Sequence, residues 1–404
     1  MTAVMQGVRI LEVAEHTFVP AASALLADLG AEVIKIEHPV RGDAMRGLAS
    51  SGTIQLGGAV HVLNEHSNRG KQSLGLDLTS RDGVEILYRL AASCDVFLTN
   101  KLPAVRAKLK IDVDDIRAHN PRIIYVRGTG QGERGPDADR GSYDSLAYWC
   151  RSGIAQSLKQ HDTVPPPPGP AFGDSIGGLT IAGGIMGALF HRERTGEATT
   201  VDVSLLSTGL WSMGATMALS LQHQQPWAAP SASQPRANPL VANYRTKDDR
   251  VISLCCLQAA KYWPEACRVI VGRPELADDE RFVDAAAIFA NGAAAAQLVA
   301  EAFAEHTLDE WRDRMADFSG QWAVVQDTIE AANDPQTLAN GYVMDCATAD
   351  GTAFQLVTPP IQFGGEPAPP KRAPEFNEHG DAILESLGLD WDTIVDLKVR
   401  GVVA

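Results

Sequence analysis

The chain has 404 residues, of which 45% are hydrophobic and 21% charged, and its formal net charge is −15. That length points to two domains, and the composition to an ordinary globular protein able to bury a sizeable core. The acidic balance argues against general nucleic-acid binding, which needs clustered cations to displace counterions, so a polyanionic ligand must meet a local basic patch.

The first 130 or so residues alternate short β-rich runs with helical stretches, the pattern of a parallel sheet with crossover helices. Gly7 to Val13 reads as a strand, Pro20 to Leu29 as a helix stopped by Gly30, and Glu32 to Glu37 as the next strand. Thr79 and Asp82 have capping-box spacing ahead of an amphipathic helix through Val84, Leu87, Leu90 and Ala91. Asp95 to Thr99 and Arg122 to Val126 read as further strands. From Tyr143 helices take over, broken by the proline loop Pro165 to Pro170, which neither helix nor central strand tolerates. Asp174 to Phe190 is apolar on every side and glycine-rich, which predicts a buried helix whose backbone lies close to a neighbour, ended by Gly196. Thr199 to Val203 reads as a strand and Ser204 to Leu221 as another buried helix. The Pro-, Ala-, Ser- and Gln-rich segment Gln224 to Pro239 is read as a domain boundary. The expected division is 1–225 as the N-terminal part of a large domain, 238–328 as a small α+β domain opening on a hairpin across Lys247-Asp248-Asp249, and 329–404 as a linker and C-terminal part returning to the large domain. A final helix is expected near Asp381 to Leu387.

No apolar run long enough for a membrane span is free of glycine clusters and charges, and the N-terminus lacks the features of a signal peptide. A cytoplasmic protein without membrane association is expected. The six cysteines include no C-x-x-C pair and are expected to be buried thiols, and no metal site is proposed, since His61 and His66 do not share a helix face.

Three motifs carry candidate chemistry. Gly130-Gln131-Gly132-Glu133-Arg134-Gly135 matches the dinucleotide fingerprint, but Pro136 and charged residues follow where a helix should begin. Gly173-Asp174-Ser175-Ile176-Gly177 matches the nucleophile elbow of α/β-hydrolases, yet a proline loop stands where the strand should be. Asp174 itself stands just before an apolar helix, where aspartate is a favoured N-cap. A carboxylate there is also kept ionised by the helix dipole and so available as a nucleophile.

Longer stretches are less generic. Gly7-Val8-Arg9-Ile10-Leu11-Glu12-Val13, Leu29 to Glu37, Gly42-Asp43, Asn68-Arg69-Gly70-Lys71, Asn120 to Tyr125, Gly173-Asp174, His191 to Gly196 and Asn238-Pro239 together resemble the class III CoA-transferase family, which includes formyl-CoA and carnitine CoA-transferases and α-methylacyl-CoA racemases. The resemblance runs through nearly the whole chain. It implies a Rossmann-like large domain with an inserted smaller domain and an interlocked homodimer with the active site at its interface. It implies a CoA thioester as substrate, a carboxylic acid as acceptor and no permanently bound cofactor. By the same resemblance Asp174 is the nucleophile, with Tyr143 and Asp144 beside it and the N–H groups of the following helix start aimed at the developing oxyanion. His38, Lys71, Asn100, Lys101 and Lys108 lie around the nucleotide of CoA, with Arg140 added to this set, and His16, Thr17 and Phe18 around its pantetheine and acyl end. Racemases of the family place a histidine where this chain has Tyr143. Tyrosine titrates far above neutrality and histidine near it, which favours transfer over racemization. A third reading is a catalytically silent CoA-thioester binder. The glycine-rich loop that some transferases place over the aspartate has no counterpart between Ala228 and Leu240.

Overall fold

Six parallel strands form the centre of the computed structural model, which describes residues 3–52, 54–159, 163–228 and 237–404. They are β1 (Arg9–Val13), β2 (Glu32–Glu37), β3 (Gln72–Gly75), β4 (Val96–Thr99), β5 (Ile124–Thr129) and β6 (Thr200–Ser204), in the spatial order β3-β2-β1-β4-β5-β6. The order reverses between β1 and β4, so the loops leaving the carboxyl ends of these two strands diverge and leave a crevice.

Alternation along each strand feeds two cores. Ile10, Val33, Val96 and Ile124 face one way, onto α1 (Phe18–Asp28) and a later glycine-rich helix. Leu11, Ile34, Leu74, Phe97 and Tyr125 face the other way. They meet Leu87 and Leu90 of an amphipathic helix (Arg81–Ala91) and Ile383, Leu384, Ile394 and Leu397 of two C-terminal helices, Gly380–Ser386 and Trp391–Val399. The helix Arg81–Ala91 is capped by Ser80, whose hydroxyl accepts the Gly83 N–H at 3.0 Å, so the capping box expected from Thr79 is one residue out of place. Thr79 instead bonds Asp77 in the preceding turn.

The glycine-rich helix runs as α2 (Phe172–Thr195) and lies against α1 as its composition predicts. A Cβ at Gly177 would stand 2.3 Å from Phe18 Cε2, and one at Gly178 2.9 Å from Ala21 Cβ. Only that face is buried. Leu179 and Phe190 are exposed, which corrects the expectation of a helix buried all round. The expected helix Ser204 to Leu221 is likewise two helices, α3 (Leu205–Ser212) and α4 (Gly214–His223), divided at Met213, and α4 has no buried residue. Cys150 and Cys255 are exposed rather than buried.

The chain divides into two units, one of Met1–Ala229 with Pro335–Ala404 and one of Pro230–Asp334. Much of the segment read as a boundary, 229–236, lies outside the described residues, as does most of the stretch searched for a glycine-rich loop. The second unit contains the antiparallel strands β7 (Val241–Arg245), β8 (Val251–Cys255) and β9 (Trp322–Val324). Its hairpin turns at Lys247-Asp248-Asp249 as expected, and Trp263, Phe303 and Trp311 fill its core. In the first unit a further hairpin, β10 (Val343–Ala347) with β11 (Ala353–Val357), joins the elements that sequence periodicity missed.

The first unit also buries charge. Lys35 Nζ lies 2.7 Å from both Glu12 Oε1 and Asp43 Oδ2, and Lys71 Nζ lies 2.8 Å from Glu12 Oε2, with every one of these four side chains shielded from solvent. Lys71 completes its shell with the carbonyl of Pro20 at 2.9 Å and Asn68 Oδ1 at 3.1 Å. Burial pushes the Lys71 ammonium down to about 8, against the pull of Glu12. Burial also pushes the Glu12 carboxyl up, but the two lysines outweigh it and hold the group below its ordinary range. Replacing one partner of such a set leaves uncompensated charge in a low dielectric. Glu12→Gln, which leaves Lys71 without a carboxylate and Lys35 with Asp43 alone, is expected to cost about 3–5 kcal/mol in urea unfolding; a loss under about 1 kcal/mol contradicts this account.

Candidate active site

Two adjoining cavities open at the carboxyl ends of the strands, where the order of the sheet reverses. The first, of about 260 Å³, is lined by His38, Leu78, Lys101 and Lys108 among others. The second, of about 460 Å³, is lined by His16, Phe18, Asn100, Lys101, Tyr143 and Asp174 among others. Glu15, Arg41, Lys101 and Val105 line both, so they mark the junction.

The second cavity takes its shape from the turn between β1 and α1. His16 adopts φ +68°, a left-handed conformation unusual for a residue with a side chain, and its N–H donates to Asp43 Oδ1 at 3.0 Å. Asp43 is held by Lys35, so the buried ion set fixes this turn. The following residue, Thr17, is buried and does not line the cavity; Phe18 does. Across from them the His16 and Tyr143 rings meet edge to face at 5.7 Å, and Tyr143 is 63% exposed.

Asp174 is the third residue of α2, not its cap. The N-cap position is held by Ala171 at φ +56°, which offers no side-chain acceptor. The cap comes from elsewhere in sequence. Asp144 Oδ2 accepts the Gly173 N–H at 3.3 Å, and its carboxylate also receives the N–H groups of Asp174 and Ser145. Gly173 is required for this approach, since a Cβ there would lie 2.4 Å from Tyr148 Cγ. The N–H groups expected to face an oxyanion are therefore taken: Phe172 bonds Gly169 O, Gly173 and Asp174 bond Asp144, and Ser175 bonds Ala171 O.

Asp174 is left half-buried, with no donor to its carboxylate among the described residues. Burial, and then the negative charge of Asp144, push its carboxyl up to about 7. Burial raises Asp144 as well, against its backbone donors. An acid poised near neutrality beside a like charge and a cavity is a functional-site signature.

The neighbouring Ser175 is not activated. Arg69 Nη1 lies 3.4 Å from His66 Nδ1, and a guanidinium only donates, so Nδ1 accepts and Nε2 carries the hydrogen. That Nε2–H faces Ser175 Oγ at 3.3 Å, while the serine hydroxyl donates to Ala171 O at 2.9 Å. Burial, then Arg69, push His66 down to about 4, so it remains neutral. The serine lies inside a helix rather than on a strand-to-helix elbow, and the hydrolase motif fails on geometry. The dinucleotide motif fails too, because no helix starts at its third glycine.

Besides Thr17, two more of the expected ligand contacts lie elsewhere. Lys71 is enclosed in the ion set with Glu12, Pro20 O and Asn68 Oδ1 and lines neither cavity. Arg140 is largely exposed beside Asp137 and lines neither cavity. Asn100 lines the cavity, but its amide is engaged with the backbone of Glu15, at 3.2 Å to the N–H and 2.7 Å to the carbonyl. Glu15 and Arg41 are residues that sequence reasoning missed. Glu15 pairs with Lys101 and, at 3.9 Å, with Arg41. The available signal was position, since Glu15 leaves β1 at its ligand-facing end.

The family profile described as CoA-transferase family III matches residues 5–380. The chain is 31% identical, over 99% of its length and 99% of the relative, to (R)-2-hydroxy-4-methylpentanoate CoA-transferase of Clostridioides difficile. It is 28% identical, over 98% of its length and 96% of the relative, to cinnamoyl-CoA:phenyllactate CoA-transferase of Clostridium sporogenes. Among solved structures a CAIB/BAIF family protein from Brucella suis superposes with a TM-score of 0.80 at 28% identity, covering 96% of this chain and 100% of that one.

A carboxyl that titrates higher in the folded protein than in the unfolded chain makes the native state the better proton holder. For Asp174 the resulting cost of ionisation is absent below about pH 4, develops up to about pH 7 and is constant above it. Asp174→Asn cannot ionise. It is expected to be more stable than the native chain by a margin that grows across this window and then levels; a margin flat from about pH 4 to 8 in thermal unfolding overturns the assigned titration.

Proposed function

We propose that this chain, which belongs to CoA-transferase family III, transfers CoA from an acyl-CoA thioester to a carboxylic acid through a covalent intermediate on Asp174. The observation that carries the reading is a carboxylate facing a cavity without a donor of its own among the described residues, while Asp144 performs the helix-capping duty in its place.

One Asp174 oxygen attacks the thioester carbonyl; the C–S bond breaks, leaving a mixed anhydride and CoA thiolate. The thiolate attacks the Asp174 side-chain carbonyl, forming an aspartyl-CoA thioester and releasing the donor acid. The acceptor carboxylate then attacks this thioester to give a new anhydride and thiolate, and attack of the thiolate on the acceptor's acyl carbon yields the new acyl-CoA and restores Asp174. Each exchange between carboxylate and thioester has a small net free-energy change, and covalent capture divides a hard step into easier ones. A carboxyl poised near pH 7 is ionised in a useful fraction and is a stronger base, hence a better nucleophile, than an ordinary aspartate.

With the helix N–H groups engaged, the Tyr143 hydroxyl is the proposed donor to the oxyanion, a role that needs its proton kept rather than given up. His38, Lys101 and Lys108 line the proposed nucleotide end, where flexible ammonium groups suit phosphate. CoA is substrate here, and the reading uses no resident cofactor. A homodimer is part of the proposal: Trp211 and Phe190 are 87% and 67% exposed on α3 and α2, and a second copy is the proposed cover for these faces.

Incubation with an acyl-CoA followed by hydroxylamine or borohydride is expected to label Asp174, and Asp174→Ala to lose the label and at least about a thousandfold in transfer while keeping CoA affinity. A variant that transfers at full rate ends the assignment. Exchange of the α-proton with solvent and no adduct would indicate racemization, and binding without either outcome a silent binder. Tyr143→Phe is expected to lower kcat roughly a hundredfold or more, while an unchanged kcat removes the tyrosine from the oxyanion site. The acid limb of kcat/KM is expected near pH 7. Asp144→Asn, which removes the neighbouring charge, should move that limb to lower pH, and an unmoved limb refutes the coupling.

A further inference from the structure

The charges around the cavities are segregated. Arg41 and Lys101 stand at the junction, both turned onto Glu15, and His38 and Lys108 lie beyond it in the first cavity. In the cavity that holds Asp174 the charges of Arg41 and Lys101 are taken up by Glu15, and the rest of the described lining contributes no lysine or arginine. It contributes the rings of Phe18, His16 and Tyr143, the side chain of Leu205 and the hydroxyls of Thr129 and Ser142. Asp144, whose carboxylate holds the first turn of α2, adds a second negative charge beside Asp174, and its partners among the described residues are backbone N–H groups. The apolar floor is fixed in place. The Phe18 ring sits where a Cβ on Gly177 would lie 2.3 Å away and one on Gly128 3.1 Å away, so two glycines make the space it occupies. The imidazole opposite is set by the positive φ of His16 and its bond to Asp43.

From this segregation, and resting on the transferase reading above, we infer that the acyl group presented to Asp174 is uncharged and apolar: the substrates are thioesters of monocarboxylic acids, and dicarboxylic acids are rejected. An acyl chain with a distal carboxylate would bring a third negative charge beside two that have no cationic partner among the described residues, and onto Phe18 and Leu205, which cannot solvate it. A branched alkyl or aryl end meets Phe18, Leu205 and Tyr143 instead, and loses water in doing so. The acceptor carboxylate is not subject to the same penalty, because Asp174 is neutral while it carries CoA. This division places discrimination between acids in the charge of the wall rather than in a fitted hydrogen bond.

The test is self-exchange, which needs no knowledge of the natural pair: an isotopically labelled free acid is followed into its own CoA thioester. Succinate and 4-methylpentanoate match in shape, with a carboxylate in one where the other has an isopropyl group. Exchange of 4-methylpentanoate is expected to exceed that of succinate by roughly a hundredfold in kcat/KM. Succinate exchanging equally well or better overturns the inference and leaves the transferase reading intact. Failure of both, with Asp174 unlabelled, overturns both. In Tyr143→Arg, which places a cation on the same wall, the ratio is expected to narrow about tenfold, and since it is read within one variant a common loss of rate cancels. A ratio unchanged by that substitution contradicts the electrostatic origin.

Discussion

Lys35 is the residue on which the arrangement turns. Its ammonium joins Glu12 on β1 to Asp43 in the loop after β2, and Asp43 in turn holds the His16 N–H and the Met45 N–H. Through Glu12 the same set reaches Lys71 and the carbonyl of Pro20 in the first turn of α1. A buried set of this kind adds little net stability over an apolar filling, but its partners have no alternative once water is gone. It fixes one geometry for the turn from β1 into α1, and that turn delivers His16 and Phe18 to the cavity.

A second division of labour depends on the first. With Phe18 fixed, α2 approaches through Gly177 and Gly178, and its first turn comes to rest on Tyr148 through Gly173. Helix N-terminal N–H groups need acceptors, and the nearest carboxylate in sequence, Asp174, would ordinarily supply one. Asp144 supplies it instead. Two aspartates thus share one helix end with opposite duties, one satisfied by backbone donors and one left without them. The arrangement raises both carboxyls, the second more strongly, and so separates two acids at one helix end by environment alone.

The parallel sheet was legible because its strands carry dense β-branched runs between helix signals, as in Glu32–Glu37 and Val96–Thr99. β3 was not, because Gln72-Ser73-Leu74-Gly75 is short and weak in β-formers and is held as a strand by β2 and by the C-terminal segment through Asn377 and Ala404. Asp174 could be named from local sequence with two roles open, since capping and reactivity use the same residue in the same place. Only the position of Asp144, distant in sequence but adjacent in space, separates them. Lys71 misled for a related reason: a lysine before a strand reads alike whether it faces solvent or core, and here Glu12 turns it inward. The outer faces of α2 to α4 misled in the opposite sense, since an apolar helix predicts burial without saying by what.

The chain's own charge sets the last constraint. At −15 overall it repels a polyanion at long range, so binding of a CoA thioester rests on a short-range cluster that is itself partly neutralised by Glu15. Glu15 bridges Lys101 and Arg41 at the point where the two cavities meet. An incoming diphosphate would compete with it for both cations, and a carboxylate carrying one charge is the weaker competitor against a doubly charged group. Until that exchange occurs the two cations have a partner and are not stranded beside an apolar wall. Under the proposed reading, neutralised cations at the junction and an Asp174 carboxylate without a donor among the described residues are parts of one arrangement, in which the negative end of the substrate is held outside and its uncharged end reaches Asp174.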